Sequence, residues 1–202
     1  MESINNTFIN GEECEKKDSN KSDILSEKLI KSRTIIISGE INQELAAKVS
    51  TQLLILQEIS NDPIKIFINS QGGHVEAGDT IHDMIKFVRP KVIMIGTGWV
   101  ASAGITIYLA ADKENRYSLP NTRYMIHQPS GGARGQTTDL AIEAKEILKV
   151  KLRIAKLISE ATGKDLKEVE ENIERNYWLD SKEAVEYGIV NKIITSYDEL
   201  IL

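Results

Sequence analysis

Two consecutive strand–turn–helix units restrict this chain's fold more than any other feature of its sequence. Residues 64–68, apolar except for Lys65, read as a strand. It is followed by the turn-like Asn69-Ser70-Gln71-Gly72-Gly73 and by a helix that carries Ala77, Ile81, Ile85 and Val88 at helical spacing and ends before Pro90. The unit then recurs as an apolar strand over residues 91–96, a glycine-containing turn at residues 98–102, and an apolar helix over residues 105–111. Consecutive units of this kind require right-handed crossovers and a largely parallel sheet, which makes the chain α/β. Parallel sheets expose reactive groups at the C-terminal ends of their strands, so the two turns are expected to converge on one crevice.

The flanking segments extend this pattern. A strand at residues 34–38 precedes a helix over residues 42–59, with Leu45, Val49, Leu53 and Leu56 as its core-facing stripe. A strand at residues 123–126 delivers His127 at its C-terminal end. The glycine-rich stretch at residues 128–136 leads into a long helix, capped by Thr137 or Thr138 and reaching about residue 162. A short helix from Asp165, a turn at Tyr177 and Trp178, a helix opened by Asp180 or Ser181, and a strand at residues 192–195 complete the chain. Residues 1–22 lack periodicity and read as a flexible N-terminal arm, leaving a single domain over residues 23–202.

Composition excludes several function classes. The 202 residues are 41% hydrophobic, enough for one sizeable core. With 25 basic and 30 acidic residues the net charge is −5, and no Lys/Arg block is long enough to follow a phosphate backbone, so nucleic acid is not an expected partner. The single cysteine, Cys14, forms no intrachain disulfide and suits a reducing compartment. His74, His82 and His127 show no metal-ligand spacing, so no metal is expected. The N-terminal residues lack a signal-peptide pattern, and no apolar stretch approaches the roughly 20 residues that span a bilayer. A protein with no membrane association is therefore expected.

Ser102 lies where a strand gives way to an apolar helix, within Gly98-Trp99-Val100-Ala101-Ser102-Ala103-Gly104. A hydroxyl there is either a nucleophile beside free helix N–H groups or a helix N-cap. The glycines at 72 and 73 leave backbone N–H groups sterically open, so Gly73 and Ala103 together would make an oxyanion hole, or Gly72-Gly73 is an ordinary turn. His127 is the histidine placed at a strand end. His82 lies within an amphipathic helix and reads as structural, while His74 follows the double glycine near the crevice. Val100 occupies a position where the nucleophile elbow of α/β-hydrolases needs glycine, which disfavours that fold.

Ile68-Asn69-Ser70-Gln71-Gly72-Gly73, Gly98 to Gly104, Met125-Ile126-His127-Gln128-Pro129, Gly131-Gly132-Ala133-Arg134-Gly135-Gln136 and Glu183-Ala184-Val185-Glu186-Tyr187-Gly188 together resemble the proteolytic subunits of the Clp protease (ClpP) over about residues 34–195. The resemblance implies a crotonase-like spiral of β-β-α units with a protruding handle helix at about residues 128–161. It implies a serine endopeptidase of self-compartmentalised rings, a homo-oligomer of heptamers stacked as a tetradecamer in the cytoplasm. Unfolded polypeptides would be delivered by an AAA+ unfoldase that uses the ATP, so this chain itself would take no cofactor.

Carried onto matching positions, the resemblance makes Ser102 the nucleophile, His127 the base, Gly73 and Ala103 the oxyanion hole, and Glu174 and Arg175 contacts between rings. It also places Asn176 where the family has the triad acid, which implies low activity alone. Asp180 is the other acidic group nearby, although with Glu183 it fits a capping box. Gln71 replaces the family's usual proline, and the N-terminal segment that shapes the family's axial pore is barely recognisable in residues 1–33. Lys65 and Thr97 stand where the family's docking groove is usually more apolar. Alternative functions are a weakly active ring subunit that assembles with a more active paralogue and, less favoured, an acyl-CoA hydratase or isomerase on the crotonase scaffold.

Overall fold

A computed structural model describes residues 25–132 and 134–200. The expected arm at residues 1–22 lies outside the described residues. A helix α1 spans residues 25–31. It is followed by β1 (Thr34–Ile41), α2 (Gln43–Ile59), β2 (Ile64–Gly73), α3 (Val75–Phe87), β3 (Val92–Ala101) and α4 (Ala103–Tyr108). The second half supplies β4 (Arg116–Ser118), β5 (Arg123–Ile126), α5 (Thr137–Thr162), α6 (Leu166–Asn172), β6 (Tyr177–Leu179), α7 (Ser181–Tyr187) and β7 (Lys192–Ile193).

The strands form one seven-stranded sheet in which β1-β2-β3-β4-β7 run side by side, while β5 pairs with β3 and β6 extends β5. All pairings are parallel except β5 with β6. This is the largely parallel α/β sheet expected from the sequence, with strands and helices alternating from β1 to α4. Its core joins the central strands to α2, α3 and α4 through Ile37, Leu53, Ile66, Ile68, Ile81 and Ile107, each fully buried. Burying an aliphatic side chain of this size contributes about 1.5–3 kcal/mol, so the sheet–helix interface fixes the positions of the strand ends.

Three local expectations change. Residues 69–73 and 98–101 are not turns: β2 continues to Gly73 and β3 to Ala101, with register shifts between Ser38 and Glu40 and between Ile68 and Ser70. Pairing with a neighbour on each side overrides the turn propensity of the glycines, and the mismatch is absorbed as bulges. Tyr177 and Trp178 likewise form β6 instead of a turn, because β5 offers them a free edge. The long helix is preceded by Gln136 as N-cap, not capped by Thr137 or Thr138.

Helix α5 is the projecting element. Its buried residues are Ala155, Ile158 and Thr162, all near its C-terminal end, whereas Leu140, Ile142 and Leu148 along its first part are exposed. Gly163 ends it in the left-handed conformation, with its N–H donating to the Ser159 carbonyl. Among the described residues, no helix is long and apolar enough to cross a membrane.

Candidate active site

Ser102 joins β3 to α4 with φ 55° and ψ −123°, a region that non-glycine residues rarely occupy. Such a conformation costs about 1–3 kcal/mol and persists only where the surroundings impose it. Here the Ser102 N–H donates to the Met125 carbonyl at 3.0 Å, continuing the β3–β5 pairing of Ala101 with Met125. The side chain makes no capping hydrogen bond to α4, which removes the N-cap reading of the sequence. Its Oγ instead lies 2.7 Å from Nε2 of His127.

His127 follows β5 directly, and Asn176 directly precedes β6. Because Ile126 pairs with Tyr177 in an antiparallel register, the next positions outward, His127 and Asn176, must face each other. The Nδ1 of His127 and Oδ1 of Asn176 are 3.1 Å apart. An amide oxygen only accepts, so Nδ1 carries the proton and Nε2 is left with its lone pair toward the Ser102 hydroxyl. Two further bonds hold these segments together: the Gln128 N–H donates to the Ile173 carbonyl at 2.6 Å, and its side-chain amide donates to the Glu174 carbonyl at 2.8 Å.

The double glycine packs directly against the serine. A Cβ on Gly72, whose φ is +99°, would lie 2.6 Å from the Ser102 Cβ and 2.8 Å from the Ala101 carbonyl oxygen. Only glycine permits this approach. Gly73 ends β2 beside this junction, and a Cβ there would collide with the Ile41 carbonyl oxygen. Ala103 begins α4, so its N–H has no acceptor within the helix. The strand ends that carry Gly73 and Ser102 thus meet, as the converging crevice required.

The remaining sequence candidates have other partners. Asp180 caps α7, accepting from the N–H groups of Lys182 and Glu183 while Glu183 returns a bond to the Asp180 N–H; it is a capping box and does not hold His127. Glu174 is exposed and bonded to Lys151 of α5, which pulls its carboxyl below the ordinary glutamate range. Arg175 is exposed and lines, with Glu174, Asn176, His127 and Gln128, an open cavity of about 540 Å³ beside the histidine. His74 is exposed and near Glu76 at 3.3 Å, and Nδ1 of His82 lies 2.8 Å from the Thr106 carbonyl oxygen, so neither joins Ser102. Sequence reasoning assigned no role to Lys151 or Gln128, whose contacts depend on α5 and the segment after β5 each reaching residues 173–174, between α6 and β6. Residues 183–188, part of the resemblance, contribute the end of α7 and its Gly188 cap, and no group at the serine.

Comparison with known proteins gives a consistent result. The family model described as Clp protease matches residues 16–197. An ATP-dependent Clp protease proteolytic subunit 3 from Rhizobium etli is 55% identical over 172 residues, spanning 85% of this chain and 89% of the relative. A proteolytic subunit 2 from Pseudomonas aeruginosa is 52% identical over 178 residues, spanning 88% and 89%. The solved structure of ClpP1 from Listeria monocytogenes superposes with a TM-score of 0.80 at 63% identity, covering 88% of this chain and 99% of that one. An asparagine-to-aspartate mutant of the same Listeria protein gives 0.81 and 64%, covering 86% and 98%.

Proposed function

This chain belongs to the Clp protease family as a serine-type proteolytic subunit, and from that premise we propose that Ser102, His127 and Asn176 carry out its peptide hydrolysis. The observation that carries the assignment is the continuous hydrogen-bonded line from Ser102 Oγ through the imidazole to Asn176 Oδ1. The Ser102 hydroxyl attacks the scissile carbonyl as His127 Nε2 takes its proton. The tetrahedral oxyanion accepts from the N–H groups of Gly73 and Ala103. His127 then protonates the leaving amine, and water, activated by the same nitrogen, hydrolyses the acyl-enzyme.

Asn176 fixes the productive tautomer but brings no charge to the imidazolium that forms in each step. This favours a second reading, in which the chain is weakly active by itself and gains activity beside a paralogous subunit that carries a carboxylate. The acyl-CoA hydratase alternative is not carried forward, since the relatives over most of the chain are protease subunits.

Assembly completes the proposal. The exposed Leu140, Ile142 and Leu148 on α5 suit it to interlock two heptameric rings as a tetradecamer, with Glu174 and Arg175 at the same junction. The ring receives polypeptides unfolded by an AAA+ ATPase, works in the cytoplasm, and itself binds no nucleotide. The test is labelling by a fluorophosphonate of assemblies whose mass has been measured. Labelling of the homo-oligomer supports the autonomous peptidase. Labelling of this subunit only after mixing with a paralogue supports the second reading, and none in either state contradicts both.

A further inference from the structure

The two tryptophans of this chain stand together on the surface beside the triad, and neither belongs to it. Trp99 and Trp178 stack with ring centroids 6.4 Å apart and planes 8° from parallel. The guanidinium carbon of Arg123 lies 4.3 Å from the Trp178 ring centre. The indoles are 42% and 36% exposed, whereas the buried pair Tyr108 and Tyr124 sits wholly inside the core. A pair of exposed, stacked indoles offers apolar and stacking surface to a further group.

Strand register ties this shelf to the catalytic residues. Trp99 lies on β3 opposite Arg123 on β5, and Trp178 on β6 opposite Met125 on β5. The same strands lead to the triad: β3 into Ser102, β5 into His127, and Asn176 into β6. Shelf and triad are therefore two parts of one three-stranded surface. From Trp99 to Ser102 is three strand steps of about 3.3 Å, or about 10 Å, and an extended peptide advances at the same rate. A substrate threaded past Ser102 in extended form would set a side chain about three residues from the scissile bond against the indoles.

We propose that Trp99, Trp178 and Arg123 form a remote substrate subsite that holds an aromatic or long aliphatic side chain about three residues from the cleaved bond and disfavours lysine and arginine there. The inference rests on the peptidase reading of Ser102. The indole faces supply apolar and stacking surface to the incoming side chain. Arg123 has no carboxylate partner among the described residues, so its charge, held over the Trp178 ring, is not neutralised and repels a cation.

Since these are the chain's two tryptophans, its indole fluorescence reports on the shelf alone. Assembled Ser102→Ala protein is titrated with equal-length neutral peptides that move one phenylalanine along an otherwise alanine-serine sequence. The peptide with phenylalanine at the matching position should shield the indoles from acrylamide and bind about 2- to 12-fold more tightly than its alanine counterpart, the span of one aromatic contact. Lysine at that position should weaken binding. In the active protein, the ratio of kcat/KM between phenylalanine and alanine peptides should collapse toward one in Trp178→Ala and recover in Trp178→Phe, a comparison unaffected by a general loss of activity.

Fluorescence indifferent to the position of phenylalanine would overturn the proposal. So would indoles already shielded in the ring and freed only on dissociation, which would assign the shelf to a contact with a second copy. If fluorophosphonate labels this subunit neither alone nor mixed with a paralogue, the peptidase reading fails, while the titration on Ser102→Ala still decides whether the shelf holds a peptide side chain.

Discussion

Replacing Asn176 with aspartate changes one group in the catalytic line and almost none of its shape. The 3.1 Å contact to His127 Nδ1 already presents an oxygen, so the substitution adds charge without altering which ring nitrogen is protonated. A neutral hydrogen bond contributes about 0.5–1.5 kcal/mol net and one to a charged group about 1.5–3 kcal/mol, a difference of about 1–1.5 kcal/mol. Applied to the imidazolium of the transition state, that gives an increase of about 5- to 13-fold in kcat/KM. A ceiling follows from two unit charges about 4 Å apart at an effective dielectric of about 20, roughly 4 kcal/mol or about 10³-fold. Asn176 is exposed to water, which places the outcome near the lower figure. The assay is hydrolysis of a fluorogenic peptide by assemblies of equal measured mass. A rise above about 10³-fold would refute the tautomer argument, because it would approach the roughly 10⁴-fold effect known where an amide imposes the wrong tautomer in a chymotrypsin-like protease. A change below about 2-fold would show that Asn176 does not act on His127.

Other substitutions test separate parts of the site. Gly72→Ala should reduce fluorophosphonate labelling by about 100-fold or more, since its Cβ would fall 2.6 Å from that of Ser102, whereas Gly39→Ala, with φ +81° and open space around it, should cost about 1–3 kcal/mol in stability and leave labelling intact. Asp180→Ala removes the α7 capping box and should lower stability by about 1 kcal/mol, seen as a fall of about 2–4 °C in Tm, without changing the labelling rate. Leu53→Ala opens the core beneath the sheet and should cost about 2–5 kcal/mol in denaturant unfolding. The Glu174–Lys151 pair gives a pH signature. With the folded pKa depressed, its contribution is present above the ordinary glutamate value and is lost as pH falls through the depressed one, so a Lys151→Ala variant should differ from the parent in stability at neutral pH and converge with it in acid.

Much of this architecture could be read from residue patterns because the evidence for it is local. The stripe of Leu45, Val49, Leu53 and Leu56 specifies α2, and all except Leu45 are fully buried, Leu45 packing at the core's margin. Ser102 and His127 were legible because each stands at the end of an apolar strand. The glycine segment at residues 69–73 reads as a turn on its own residues, but its structure is set by β1 and β3 on either side, information absent from the segment itself. The same holds for Tyr177 and Trp178, whose strand exists because β5 has an open edge. Asn176 could be matched by resemblance, but its orientation toward His127 follows from the Ile126–Tyr177 register, which only the fold supplies. Asp180 carried both readings in the sequence, and its contacts to Lys182 and Glu183 decide between them.

Ser102 is the residue that catalysis should acylate. Intact-mass measurement and peptide mapping of the assembled protein after fluorophosphonate treatment test it directly, with the Asn176→Asp form included to offset slow reaction. One adduct per subunit is expected, on the peptide containing Ser102, and none on Ser102→Ala. An adduct on another serine, or none on the assembled Asn176→Asp protein, would contradict it.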